Sequence, residues 1–90
     1  MQLSIIIINY NTFTLTCNCI QSIYDKLDDV DFEIVLVDNA SVECDAHLFN
    51  TKFPGINLII SPINSGFTGG NNLGVDNAKG DYLLLLNSDT

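Results

Sequence analysis

The sequence predicts an α/β domain built on one parallel sheet, with strands in the spatial order 3-2-1-4 and helices on both faces. Three observations carry that prediction. Four short apolar runs, dominated by Ile, Val and Leu, recur along the 90 residues. Stretches with helical spacing or with polar, glycine-containing composition alternate with these runs. A cluster of Asn, Asp, Ser or Gly follows each run. Continuously apolar runs mark strands buried on both faces of a parallel sheet. Strands alternating with helices imply right-handed crossovers.

The first run covers residues 3–8, with Ile5, Ile6, Ile7 and Ile8 in succession. It lacks the basic flank and small-residue cleavage site of a signal peptide, so a buried strand is the expectation. Asn9-Tyr10-Asn11-Thr12 is a polar break able to cap a helix. Phe13, Cys17, Ile20, Ile23, Tyr24 and Leu27 then recur at spacings of three and four, the stripe of a helix packed on a sheet. The second strand is expected over residues 32–37, ending at Asp38. A weak helix follows around 42–51, with Leu48 and Phe49 as its apolar contacts. Pro54-Gly55 signals a turn. The third strand is expected over 56–60. Residues 61–70 read as a polar loop, and a helix runs from about 69 to 78 with Gly80 as its C-terminal cap. The fourth strand covers 81–86, where Leu83, Leu84, Leu85 and Leu86 read as fully buried. The resulting β-α-β-α-β-α-β order is a Rossmann-like half sheet, which binds ligands at the carboxyl ends of its strands.

Composition narrows the function. Eleven acidic residues against three Lys, with no Arg, give a net charge of -8. That excludes the cationic footprint needed for nucleic acid or an anionic membrane surface. No apolar run reaches the roughly 20 residues of a membrane span. Cys17, Cys19 and Cys44 lack the spacing of a zinc site, and a reducing cytoplasm is the expected location. Asp25, Asp28, Asp29, Asp31 and Glu33 read as a solvated connection, because no Gly in that segment supplies the turn of a calcium loop.

The polar clusters follow the strands and therefore converge on one edge of the sheet. They are Asn9-Tyr10-Asn11, Asp38-Asn39-Ala40-Ser41, the 64–71 stretch containing Asn64, Gly66, Gly69, Gly70 and Asn71, and Asn87-Ser88-Asp89. Each residue type is also a common turn former, but as a set they point to a binding cleft. No glycine follows the first strand, so a dinucleotide fingerprint is absent, and no P-loop pattern occurs. Gly74 serves either close helix–sheet packing or close approach of a ligand. Asp38 is placed to accept hydrogen bonds from a base or ribose. Asp89 is suited to a divalent cation, and oxygen ligands favour Mg²⁺ or Mn²⁺.

These motifs resemble the nucleotide-binding half of the family 2 glycosyltransferases, which have the GT-A fold. The residues carrying the resemblance are Ile5-Ile6-Ile7-Ile8-Asn9-Tyr10-Asn11, Val37-Asp38-Asn39-Ala40-Ser41, Asn64-Ser65-Gly66-Phe67-Thr68-Gly69-Gly70-Asn71-Asn72-Leu73-Gly74 and Leu84-Leu85-Leu86-Asn87-Ser88-Asp89-Thr90. The resemblance implies that Asn9, Tyr10, Asn11, Asp38, Asn39, Ser41, Asn64, Gly66, Gly69, Gly70, Asn71, Asn87 and Ser88 bind a nucleotide-diphosphate sugar, a UDP- or dTDP-sugar. Asn87-Ser88-Asp89 matches the family's D-x-D position, with Asn in the first place, and Asp89 would meet the metal. The 64–71 stretch looks like the rhamnosyltransferase-like branch. The family's acceptor is a glycan or lipid-linked molecule. Its catalytic base lies beyond the D-x-D position, so these 90 residues are expected to be the donor half of a longer catalytic domain, inactive alone, and cytoplasmic or peripheral to the inner face of the membrane. The competing expectation is a non-enzymatic α/β module. On either reading, the 83–86 run at the sheet edge is expected to be covered, by a second copy of the chain or by further sequence.

Overall fold

A computed structural model of the chain describes residues 2–43, 45–64 and 66–86. Its elements are β1 (Leu3–Asn9), α1 (Phe13–Lys26), β2 (Phe32–Asn39), α2 (Leu48–Lys52), β3 (Asn57–Ser61), α3 (Gly66–Asn77) and β4 (Tyr82–Leu86). The four strands form one parallel sheet in the order β3-β2-β1-β4, as the sequence predicts. The register sets Ser4 beside Glu33 at one end of the central pair and Asn9 beside Asp38 at the other.

Alternate residues of a strand face opposite sides of the sheet. Ile5 and Ile7 of β1 and Ile34 and Leu36 of β2 form the floor of a core closed by Cys17 and Ile20 of α1 and by Phe49 of α2. Phe13 stacks obliquely on Phe49, with ring centroids 4.6 Å apart. Cys17 belongs to this core, and burial raises the thiol pKa of the half-buried Cys19. The other face carries α3. A Cβ on Gly74 would lie 2.3 Å from Cγ2 of Ile6, so this glycine lets the helix sit directly on the sheet. Of its two readings, close packing is the one observed.

Several boundaries depart from the sequence expectation, each for a physical reason. β2 continues through Asp38 and Asn39, because β1 and β3 pair with it on both sides. The weak helix starts later than expected and covers residues 48–52, while the N–H groups of Val42 and Glu43 donate to the side chain of Asn11 and tie that stretch to the loop after β1. α3 starts at Gly66, three residues early, where Oδ1 of Asn64 accepts the Gly66 N–H at 2.9 Å. Gly66 is therefore helical and not loop, while Gly69, Gly70 and Asn71 lie in the helix, in line with its expected start at about 69. Gly80 is no helix cap: it lies beyond α3, and an added Cβ would stand 2.6 Å from the Ser4 nitrogen.

β4 lies at the sheet edge, as the predicted order has it. Within this chain Leu83, Leu84 and Leu85 are 44–51% exposed and Tyr82 is 69% exposed, the apolar edge that further sequence or a second copy was expected to cover. An edge strand has a neighbour on one side only, here β1, and side chains on both of its faces stay accessible.

Candidate functional site

The carboxyl ends of β1 and β2 are joined by a network of polar side chains. Asn9 is 1% exposed and lies at its centre. Its Nδ2 donates to Oδ1 of Asp38 at 2.7 Å and to Oγ of Ser41 at 3.1 Å. Its Oδ1 accepts from the hydroxyls of Thr12 at 3.0 Å and Thr16 at 2.8 Å. A primary amide has two N–H donors and two acceptor lone pairs, so Asn9 is saturated within the protein. It holds Asp38 in place and has no group left for a ligand.

Asp38 is 2% exposed. Its Oδ2 accepts the Ser41 backbone N–H at 3.2 Å, while Oδ1 takes the Asn9 amide. A carboxylate offers about four acceptor positions, so two remain. Ser41 Oγ accepts the Asn11 N–H at 2.9 Å as well as the Asn9 amide. Its own O–H is left to donate.

The loops above are clasped reciprocally. Oδ1 of Asn11 accepts the N–H groups of Val42 and Glu43 at 2.9 and 3.2 Å. In return, Oε1 of Glu43 accepts the Phe13 N–H at 2.6 Å. A carboxylate at a helix N-terminus satisfies a free donor and complements the helix dipole. Thr12 makes no side-chain capping bond, so α1 is capped from 30 residues away. Asn11 and Ala40 both adopt positive φ, 52° and 62°, which costs energy for residues with a Cβ.

A cleft of about 420 Å³ opens beside this network, within the size range of small-molecule sites. Asp38 and Ser41 contribute its polar wall, Val42, Ile60 and Pro62 its apolar walls, and His47 with Asp45 its rim. The His47 backbone N–H and ring both bond to Oδ1 of Asp45, at 3.0 and 2.9 Å, and hold that carboxyl below its ordinary value of 3.8.

The structure thus brings Asn9, Asn11, Asp38 and Ser41 together, with Tyr10 half exposed beside them. Asn39, the next residue along β2, faces the α3 side, where its Nδ2 donates to the Gly66 carbonyl at 2.9 Å. Gly70 is buried against Ile8 and Asn39. Asn64 caps α3, and Gly69 and Asn71 are half-buried in its first turns. Asn87, Ser88 and Asp89 lie outside the described residues. Among the described residues, no group of three or more His, Cys, Asp or Glu side chains could hold a metal.

Sequence reasoning missed Thr12, Thr16, Glu43 and His47 as parts of the site. Thr12 and Thr16 carried a legible signal, being polar residues four apart beside the apolar stripe of α1. Glu43 and His47 carried none, because their roles depend on where the second loop lies.

A parallel α/β sheet with a polar cleft at the carboxyl ends of its central strands is the arrangement in which Rossmann-like folds hold their ligands. The pattern of glycosyl transferase family 2 matches residues 4–90, and the chain belongs to that family. It is 32% identical to the poly(ribitol-phosphate) beta-glucosyltransferase of Bacillus spizizenii, covering 99% of this chain and 15% of that protein. It is 33% identical to the uncharacterized glycosyltransferase YfnE of Bacillus subtilis, covering 99% of this chain and 23% of that protein. Among solved structures, S. aureus TarS 1-349 in complex with UDP-GlcNAc superposes with a TM-score of 0.81 at 26% identity, over 99% of this chain and 27% of that one. The chain therefore spans between about one-seventh and about one-quarter of the length of these relatives.

Proposed function

We propose that this chain binds the nucleoside diphosphate part of a UDP- or dTDP-sugar, as the donor side of a glycosyltransferase that transfers the sugar to a glycan or lipid-linked acceptor. One observation carries the reading. Asp38 and Ser41 line the same cleft, the first with unoccupied acceptor positions and the second with an unoccupied hydroxyl donor. An acceptor beside a donor matches the adjacent N–H and C=O of a uracil or thymine edge. Val42, Ile60 and Pro62 supply apolar surface for the faces of a base. The TarS relative with bound UDP-GlcNAc supports the same ligand class.

The proposal includes Mg²⁺ or Mn²⁺ at Asp89. Its support is chemical: the chain has no Arg and a net charge of -8, so a bound diphosphate needs a cation to offset its charge. The residues that would perform transfer are not assigned, because every carboxylate placed at the cleft already has a binding or positioning role. The resemblance of the 64–71 stretch to the rhamnosyltransferase-like branch adds dTDP-rhamnose to the candidate donors.

Calorimetric titration of the folded chain with UDP and with dTDP, each with and without Mn²⁺, tests the reading. Binding strengthened by Mn²⁺ is expected. A folded chain that takes up neither nucleotide overturns it.

A further inference from the structure

Asp38 and Asn39 are consecutive residues of β2, so their side chains leave the sheet on opposite faces. Asp38 organises the loops after β1 and β2. Asn39 is equally buried, at 2% exposure, and its amide donates to the Gly66 carbonyl at the start of α3. Gly66 itself has a φ of 74°, a conformation that leaves its peptide dependent on what holds it. Gly70, one turn further along α3, is pressed on the same amide. A Cβ there would lie 3.4 Å from Nδ2 of Asn39 and 3.1 Å from Cδ1 of Ile8.

The segment between β3 and α3 is thus pinned at both ends. At its start Ser61 pairs with Asn39 in the β2–β3 ladder, and its hydroxyl donates to the Ile63 carbonyl at 2.6 Å. At its end Asn39 holds Gly66. Ile60, Ser61 and Pro62, where the segment begins, line the same cleft as Asp38 and Ser41, with Ile60 beside Asp38 in the ladder.

We infer that Asn39 is a positioning residue of the donor site. By tying Gly66 to the end of β2, it fixes the course of the chain that leaves β3 at Pro62, a residue of the cleft lining, and so the nucleotide affinity of the cleft. It does this without touching the ligand. The inference rests on the donor-site reading above.

The test uses UDP with Mn²⁺, titrated calorimetrically into the wild-type chain and into Asn39→Ala, Asn39→Asp and Ser4→Ala at a temperature where melting curves show all four folded. Asn39→Asp keeps the shape but replaces the donor with an acceptor facing the Gly66 carbonyl. Both Asn39 variants are expected to bind UDP about tenfold more weakly, from the loss of one buried hydrogen bond. Ser4→Ala, at the far end of the sheet, is expected to melt lower and bind UDP as wild type does. Wild-type affinity in either Asn39 variant, or equal weakening in Ser4→Ala, overturns the positioning role while leaving the donor site standing. Should Asn39→Ala fail to fold, Asn39→Asp with Gly70→Ala, which crowds the same amide, decides the matter by the same readout. Where the wild-type chain binds dTDP in place of UDP, the same comparison is made with dTDP, and a wild-type chain that binds neither removes the donor-site reading and this inference together.

Discussion

The two ends of the central strand pair make an informative contrast. Each end carries one polar pair in register across β1 and β2, Ser4 with Glu33 and Asn9 with Asp38. At the amino end the pair is closed. Ser4 donates to Oε2 of Glu33 at 2.6 Å, the Lys79 N–H donates to the same oxygen at 2.7 Å, and the Gly80 N–H donates to the Ser4 hydroxyl at 2.7 Å. The connection from α3 to β4 seats on it so tightly that Gly80 has no room for a Cβ. At the carboxyl end the pair stays open, because Asp38 and Ser41 retain hydrogen-bonding positions beside a cleft. The two ends differ in what covers them: the Lys79 and Gly80 backbone sits over the Ser4–Glu33 pair, whereas a cleft opens beside Asp38 and Ser41.

The contrast is open to attack from both ends. The largest effect is expected from Gly80→Ala, which forces a methyl into backbone and should destabilise the fold by about 3 kcal/mol. Chemical denaturation measures it, and a loss well below that value means the amino end is not closed. Next is Asp38→Asn, which removes the charged acceptor from the open end. UDP affinity should fall by about 2 kcal/mol, about thirtyfold, and an unchanged titration would show that the open end is not where nucleotide binds. Ser4→Ala leaves the Gly80 N–H without its partner and should lower stability by about 1.5 kcal/mol, with no change in UDP binding. Ala40→Gly relieves a positive φ in the clasped loop. Set against the added freedom of the unfolded chain, it should raise stability by about 0.5 kcal/mol, visible as a higher melting temperature.

The smallest effect concerns Asp45 at the cleft rim. Its carboxyl is held below the ordinary 3.8 in the folded chain by the His47 backbone N–H and ring. A depressed folded-state value stabilises above the unfolded value and is lost as pH falls through the folded one. Asp45→Asn should therefore melt slightly lower than wild type above about pH 4. The difference should close as the pH is lowered further. A difference that persists in strong acid would show that the His47 contact is not electrostatic.

Much of this was legible in the residues. The runs at 3–8, 32–37 and 56–60 are apolar enough to be strands, and their alternation with helices leaves few topologies. Asn9 and Asp38 were recognisable as neighbours because both directly follow such runs. The 83–86 run was legible as an edge strand, but apolarity reports what a strand is suited to, whereas exposure depends on which elements lie over it. The Gly80 reading failed because a glycine near a helix end is compatible with both a cap and a close contact, and local sequence does not separate them.

By itself the sequence determined the order of elements, the parallel sheet and the edge at which polar residues gather, since hydrophobic periodicity and turn chemistry are local properties. The tertiary structure alone decided which of those residues are closed off and which remain open. The Ser4–Gly80 contact joins residues 76 apart and the Asn9–Asp38 contact residues 29 apart. A side chain's hydrogen-bonding capacity is divided among partners that only folding brings within reach, and that division makes Asn9 a brace, Gly80 a seat and Asp38 with Ser41 the open face.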